Sequence, residues 1–174
     1  AYLDLDRLLL EKERLEKAVG LKVSGYRNHY LKFVAPDTWN ILQQAGFTYD
    51  TTVGYADMVG FRNGTCHVYK PFSLRDKKEV NIYEIPLACM DVTLSRYMGK
   101  SSQESFKIIK DMIDTVAELN GVFTILWHNK TDFEDLKLYE QILAYGREKN
   151  AWMCSGEKLI DWCSSKAYAV SKCQ

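Results

Sequence analysis

The sequence lacks several features that would define a function class by themselves. Its 174 residues contain five cysteines, an odd number, and no C-x-x-C pair. A disulfide framework and a thiolate zinc site are therefore both disfavoured, and we expect reduced, mostly buried thiols. Neither an H-x-x-x-H nor an H-E-x-x-H pair occurs, so we do not expect His29, His67 and His128 to form an intact metal site in this chain.

The chain also lacks a charge bias and long hydrophobic runs. Its 23 basic and 23 acidic residues balance, so neither nucleic acid nor an anionic membrane surface is an expected partner. No apolar run approaches the roughly 18 residues of a membrane span. No signal peptide opens the chain, which favours a cytoplasmic location.

An apolar run from Val122 to Trp127 is the clearest structural signal in the sequence. The composition, 47% hydrophobic and 13% aromatic, is sufficient for one domain with a core. The run has no helical period and follows Asn120-Gly121, which predicts a strand buried on both faces. His128 lies at its carboxyl end, where parallel α/β sheets present ligand-binding and catalytic side chains.

Predicted helices and strands alternate along the chain, which indicates a mainly parallel sheet covered by helices. About four β/α units are present, roughly half of what a closed barrel needs. We therefore expect a small open sheet or the later part of a barrel whose first strands lie upstream. The predicted helices are 3–19, 36–45, one starting at Ser101 or Ser102, 136–149 and 156–171. The predicted strands are 21–24, 47–49, 122–127 and 151–154, with a hairpin formed by 65–72 and 80–87.

Polar side chains follow these strands and predict a pocket at their carboxyl ends. An arginine, an acid and two histidines there would be a plausible acid/base and anion-stabilising set. Each also has a simpler interpretation: His128 as a backbone cap, Arg27 as an ion-pair partner and Asp50 as a turn former. The residues at the strand ends are Arg27, His29, Asp50, His128, Ser155 and Glu157.

Four segments, in order across residues 25 to 129, resemble motifs of the polysaccharide deacetylase family (NodB-homology, carbohydrate esterase family 4). Tyr26-Arg27-Asn28-His29-Tyr30 resembles the arginine motif, R-x-P-[YF]. Ala45 to Thr52 is similar to the G-F-x-Y-D-S-S segment that follows that motif in many members. Glu84-Ile85-Pro86-Leu87 resembles the E-[IF]-P-[LV] strand, and Phe123 to His128 resembles the closing L-x-x-H motif.

The resemblance implies a distorted (β/α) barrel that removes N-acetyl groups from a carbohydrate. In such enzymes a divalent metal, usually zinc, activates water, an aspartate acts as base, and the closing-motif histidine protonates the leaving amine. His128 would then be the general acid, and Arg27 would orient the base. The implied contacts with an acetylated sugar are Tyr30, Trp127, Asp50 and His29, together with the loop from Tyr55 to Phe61.

This sequence departs from the family pattern in two places. His29 replaces the usual proline of the arginine motif. The T-F-D-D segment and the H-x-x-x-H metal pair are absent, and in the family both precede a helix like 3–19. We therefore expect residues 1–174 to be the carboxyl-terminal portion of an incomplete NodB-type barrel with an inserted β-hairpin, lacking the metal ligands and the base.

The alternative to a deacetylase function is a non-catalytic carbohydrate-binding or scaffold module on a degenerate barrel.

An incomplete barrel would leave an open sheet edge near Leu21 to Ser24. We therefore expect a partner at this edge, either the missing amino-terminal segment or another subunit.

Overall fold

The protein is described by a computed structural model over residues 2–129 and 133–165, and it combines helices with small sheets. No helix of this described part is both long and apolar enough to cross a membrane. The helices are α1 (Leu5–Val19), α2 (Asp37–Gln44), α3 (Ser102–Glu118), α4 (Phe133–Glu148) and α5 (Gly156–Ser164). A 3₁₀ turn spans His29–Leu31, and a π-helical turn spans Thr93–Tyr97.

The strands are two residues long and are mostly paired in parallel. In one sheet β1 (Gly25–Tyr26), β2 (Tyr49–Asp50) and β5 (Tyr83–Glu84) lie in the order β1-β2-β5. In another, β6 (Cys89–Met90) pairs in parallel with β7 (Ile125–Leu126). An antiparallel pair consists of β3 (Phe72–Ser73) and β4 (Lys78–Glu79).

The described residues form two compact units. Unit 1 comprises 2–53, 68–85 and 154–165, and unit 2 comprises 54–67, 86–129 and 133–153. The core of unit 1 contains Leu8 of α1, Trp39 and Leu42 of α2, and the neighbouring Phe47 and Ile82. The core of unit 2 contains Cys89, Leu94, Ile109 and Ile113 with two residues of α4, Leu138 and Ile142.

Capping residues account for the helix boundaries. The Asp4 carboxylate accepts a hydrogen bond from the Arg7 N–H at the start of α1, and Gly20 ends the helix at φ 70°. At α3, Ser101 and Glu104 form a reciprocal capping box. The predicted helices are therefore confirmed to within a few residues, except that the last helix, predicted as 156–171, ends at Ser164, and Ser165 is already extended.

The predicted strands differ from the structure more than the helices do. Residues 21–24 and 151–154 form no strand, and the strand at Gly25–Tyr26 begins where the first was predicted to end. The hairpin predicted for 65–72 and 80–87 is reduced to one antiparallel bridge, between Tyr69 and Glu84. The strand β5, which lies within 80–87, pairs in parallel with β2. The strand predicted for 122–127 was expected to be buried on both faces. Its residues are half-buried, and only Ile125–Leu126 is a strand.

The cysteine prediction is confirmed for the described residues. Cys66, Cys89 and Cys154 are free thiols, and Cys66, Cys89 and Cys163 are buried. Burial raises the pKa of the Cys89 thiol to about 12, so this thiol stays protonated at neutral pH. Cys173 lies outside the described residues.

Candidate functional site

In unit 2 the side chains of His128 and Asp91 are in contact. Asp91 directly follows β6, and His128 lies two residues beyond β7, so the parallel pairing of these strands brings both side chains to the same edge. His128 Nδ1 lies 2.6 Å from Asp91 Oδ1, and the His128 backbone N–H lies 3.4 Å from Asp91 Oδ2. The Asp91 carboxylate therefore fixes both the ring and the backbone of His128.

Burial of the two side chains differs in a way that suits proton transfer. The Asp91 side chain is 1% exposed, whereas the His128 side chain is 42% exposed. A carboxylate only accepts hydrogen bonds, so Nδ1 of His128 carries the proton in this contact. Among the described residues, no hydrogen bond engages the other ring nitrogen, Nε2, which can then exchange a proton with an external group.

Asp91 was not among the residues predicted for the site. Its signal was nonetheless present, because the stretch Ile85 to Met90 is an apolar run that ends in an acid. That pattern is the same one by which the run before His128 predicted a strand with a functional carboxyl end.

The Asp91 contact predicts the tautomer of His128. In the wild-type chain the neutral imidazole should carry its proton on Nδ1, and Asp91→Ala should shift the population towards the Nε2–H form because the acceptor is gone. Side-chain ¹H–¹⁵N NMR distinguishes the two forms. His67, an exposed histidine of the same unit, is the internal control and should not change. A dominant Nε2–H form in the wild type would contradict the proposed contact.

Arg27 belongs to a second polar cluster, at the carboxyl end of β1 in unit 1. Its guanidinium donates from Nε to the Thr51 carbonyl at 3.1 Å and from Nη2 to the Thr51 hydroxyl at 3.0 Å. Burial lowers the pKa of Arg27, and the neighbouring Asp50 opposes that effect. Arg27 is thus held against the segment that follows β2, as a strand-end location predicts.

Asp50 is 0% exposed, so its side chain offers no accessible surface to a substrate in this structure. It accepts a hydrogen bond of 2.6 Å from the Thr52 hydroxyl. Its neighbour across the β2–β5 register is Glu84, which is also 0% exposed. The two acids form a buried pair that the sequence analysis did not anticipate.

His29 and Tyr30 form an exposed aromatic pair. Their ring centroids are 4.1 Å apart at an interplanar angle of 67°, and Tyr30 is 81% exposed. Tyr30 has φ 59° and ψ 20°, and Leu31 has φ 50°, which are strained conformations for non-glycine residues. Backbone strain at an exposed aromatic residue is typical of a functional loop.

Trp127, the fourth predicted sugar contact, is half-buried in unit 2. It packs against the core of that unit, and its ring lies 5.5 Å from the ring of Tyr139. Ser155 and Glu157 have structural contacts: Ser155 caps α5, and the Glu157 carboxylate accepts a hydrogen bond from Ser24 at 3.1 Å. The prediction that Arg27 and His128 converge on one pocket remains a prediction, since they belong to different units.

A cavity in unit 1 is distinct from all of these residues. Its volume is about 550 Å³, and one of its walls carries an ion pair of 2.7 Å between Arg75 and Asp37. None of the predicted site residues lines it.

The described residues do not fit a divalent metal. Residues 2–129 and 133–165 contain no group of three or more His, Cys, Asp or Glu side chains that could hold an ion. Comparison of the chain with protein-family models, with curated proteins and with solved structures found no match.

Proposed function

We propose that the chain is the carboxyl-terminal part of a carbohydrate N-deacetylase in which His128 is the general acid. The observation that carries this proposal is the contact between Asp91 and His128 at the carboxyl ends of adjacent parallel strands. Amide hydrolysis expels an amine, which is a poor leaving group until it is protonated. A histidine held at Nδ1 by a buried carboxylate and exposed on its other side is suited to deliver that proton.

Arg27 has the second role in this proposal. Two hydrogen bonds to Thr51 hold its guanidinium in a partly buried position with a fixed orientation. A guanidinium held in this way orients a carboxylate base and stabilises its charged form. The four sequence motifs support the same assignment, because Arg27 and His128 lie in the arginine and closing motifs of the resembled family.

In this proposal the metal ligands and the base are supplied by residues other than the described ones, which hold no group of three or more potential metal ligands. A longer gene product that contains this chain would then be the active enzyme, and the 174 residues alone are expected to be inactive.

The test is a comparison of that gene product with the 174-residue chain. Both are titrated with zinc and assayed for acetate release from oligomers of N-acetylglucosamine. Stoichiometric zinc and acetate release by the gene product, with neither from the chain alone, would support the proposal. A gene product that binds no zinc and releases no acetate would overturn it.

A non-catalytic carbohydrate-binding module is the second candidate. It is favoured by the exposed rings of His29 and Tyr30, because a fixed aromatic surface can stack on a sugar ring. In that case the chain alone should bind acetylated oligosaccharides, Tyr30→Ala should abolish binding, and Asp91→Ala should leave it unchanged. Titration followed by NMR measures all three.

A further inference from the structure

Asp50 and Glu84 are two buried acids that lie opposite each other on neighbouring strands of unit 1. The parallel register pairs Asp50 with Glu84 across β2 and β5, so both side chains leave the sheet on the same face. Each residue is 0% exposed. Burial is the largest cause for both groups and raises the pKa of Asp50 and of Glu84, and the Asp50 charge raises the pKa of Glu84 further.

The hydrogen bonds that reach the pair leave one carboxyl oxygen without a partner. Glu84 accepts from the Trp39 indole N–H at 2.9 Å and from the Val53 N–H at 3.1 Å. Asp50 Oδ1 accepts from the Thr52 hydroxyl, while its buried Oδ2 has no hydrogen-bond partner among the described residues. A buried carboxylate oxygen without a donor is costly, and a proton shared between the two acids removes that cost.

The pair also contacts the Thr51–Val53 segment, to which Arg27 is hydrogen-bonded. Thr52 bonds to Asp50 and Val53 bonds to Glu84, while Thr51, between them and β2, accepts both hydrogen bonds from Arg27. The Asn28 N–H completes the link by donating to the Thr52 hydroxyl at 2.9 Å. Movement of either acid would therefore be transmitted to the guanidinium through the Thr51–Val53 segment.

We propose that Asp50 and Glu84 share a single proton and act as one buried anion that positions Arg27 through the Thr51–Val53 segment. The charged and titratable groups that face the pair are the Tyr26 hydroxyl, from the last residue of β1, and the Arg27 guanidinium, from the residue that follows β1. With one proton on the pair, its single negative charge balances the positive charge of Arg27. Loss of that proton leaves two negative charges against one in a buried cluster.

The pH dependence of stability follows from this proton. Burial, the largest cause, and the Asp50 charge raise the pKa of Glu84 well above its ordinary value of 4.5. Between that ordinary value and the raised value, the folded chain binds more protons than the unfolded chain. The contribution of the pair to the free energy of unfolding should therefore fall as pH rises through this window. Below the window that contribution should be complete.

Infrared spectroscopy of the wild-type chain is the first test, because it requires no variant to fold. A protonated-carboxyl C=O band should be present at neutral pH, where isolated acids are ionised. The band should disappear in Glu84→Gln and remain in Glu79→Gln, the matched change at an exposed ion-paired glutamate of the same unit. A wild-type spectrum without the band, or a band that persists in Glu84→Gln, would overturn the proposal.

Hydrogen exchange tests the link to Arg27. Glu84→Ala removes the acceptor of the Val53 N–H, so the Val53 N–H and the Arg27 Nε–H should both exchange faster with solvent. Glu84→Gln keeps one acceptor and should recover part of the protection. Unchanged exchange at Arg27 Nε–H in Glu84→Ala would refute the positioning role. Both measurements use the chain alone, so they test the acid pair independently of any deacetylase activity.

Discussion

Replacement of His128 by alanine in the zinc-loaded gene product is expected to slow acetate release about 10²- to 10⁴-fold, which is the usual contribution of a general acid. The bound zinc should stay stoichiometric, because His128 contacts Asp91 and is assigned no metal. Acetate release and zinc content are measured on the same preparation. The loss should be much smaller with an N-acetyl arylamine substrate, since an arylamine departs with less assistance from a proton.

His67→Ala is the matched control for this experiment. His67 is also an exposed histidine of unit 2, and its Nδ1 lies 3.5 Å from Cys66 Sγ. Its replacement should leave both acetate release and zinc content unchanged. If His128→Ala instead lost zinc in proportion to activity, His128 would be a metal ligand and the general-acid assignment would be wrong.

Trp39→Ala is expected to give the largest loss of stability among single substitutions in unit 1. Trp39 is 8% exposed, belongs to the core, and its ring lies 4.8 Å from the ring of Phe33. Removal of a buried tryptophan side chain costs about 3–5 kcal/mol of unfolding free energy. Urea denaturation followed by circular dichroism measures the change.

Trp39→Phe separates packing from hydrogen bonding at this position. Phenylalanine fills most of the cavity but removes the indole donor to Glu84. Its expected cost is smaller, about 1–3 kcal/mol, the range for a buried polar group that loses its partner. Equal losses for the two variants would mean that the bond to Glu84, and not the volume of the ring, dominates the contribution of Trp39.

The helices could be predicted from the sequence because their signals are local. Asp4 and Gly20 define α1, and Ser101 with Glu104 defines the start of α3, without reference to any other part of the chain. The strands could not be bounded in this way, because each contains only two residues. A period of two is not visible over that length, so the sequence does not fix the bounds of a strand such as the one predicted at 21–24.

The candidate site was predicted only in part, because the pairing of strands is not visible in a local stretch of sequence. His128 and Arg27 stand out because each follows an apolar or aromatic stretch. Asp91 follows such a stretch as well, but it was not among the predicted residues. The pairing of Asp91 with His128, like that of Asp50 with Glu84, depends on which strands are neighbours. That information is not local, since the partners are 37 and 34 positions apart in the sequence.

The register that places Asp50 opposite Glu84 bears on how the chain selects its fold. Two strands of two residues share too few backbone hydrogen bonds to specify their own alignment. A shift of β5 by one position would turn Glu84 to the other face and bury Asp50 without a proton donor, a costly arrangement. The acid pair therefore discriminates against misaligned strands, so replacing both acids with apolar residues could preserve stability while losing a unique alignment.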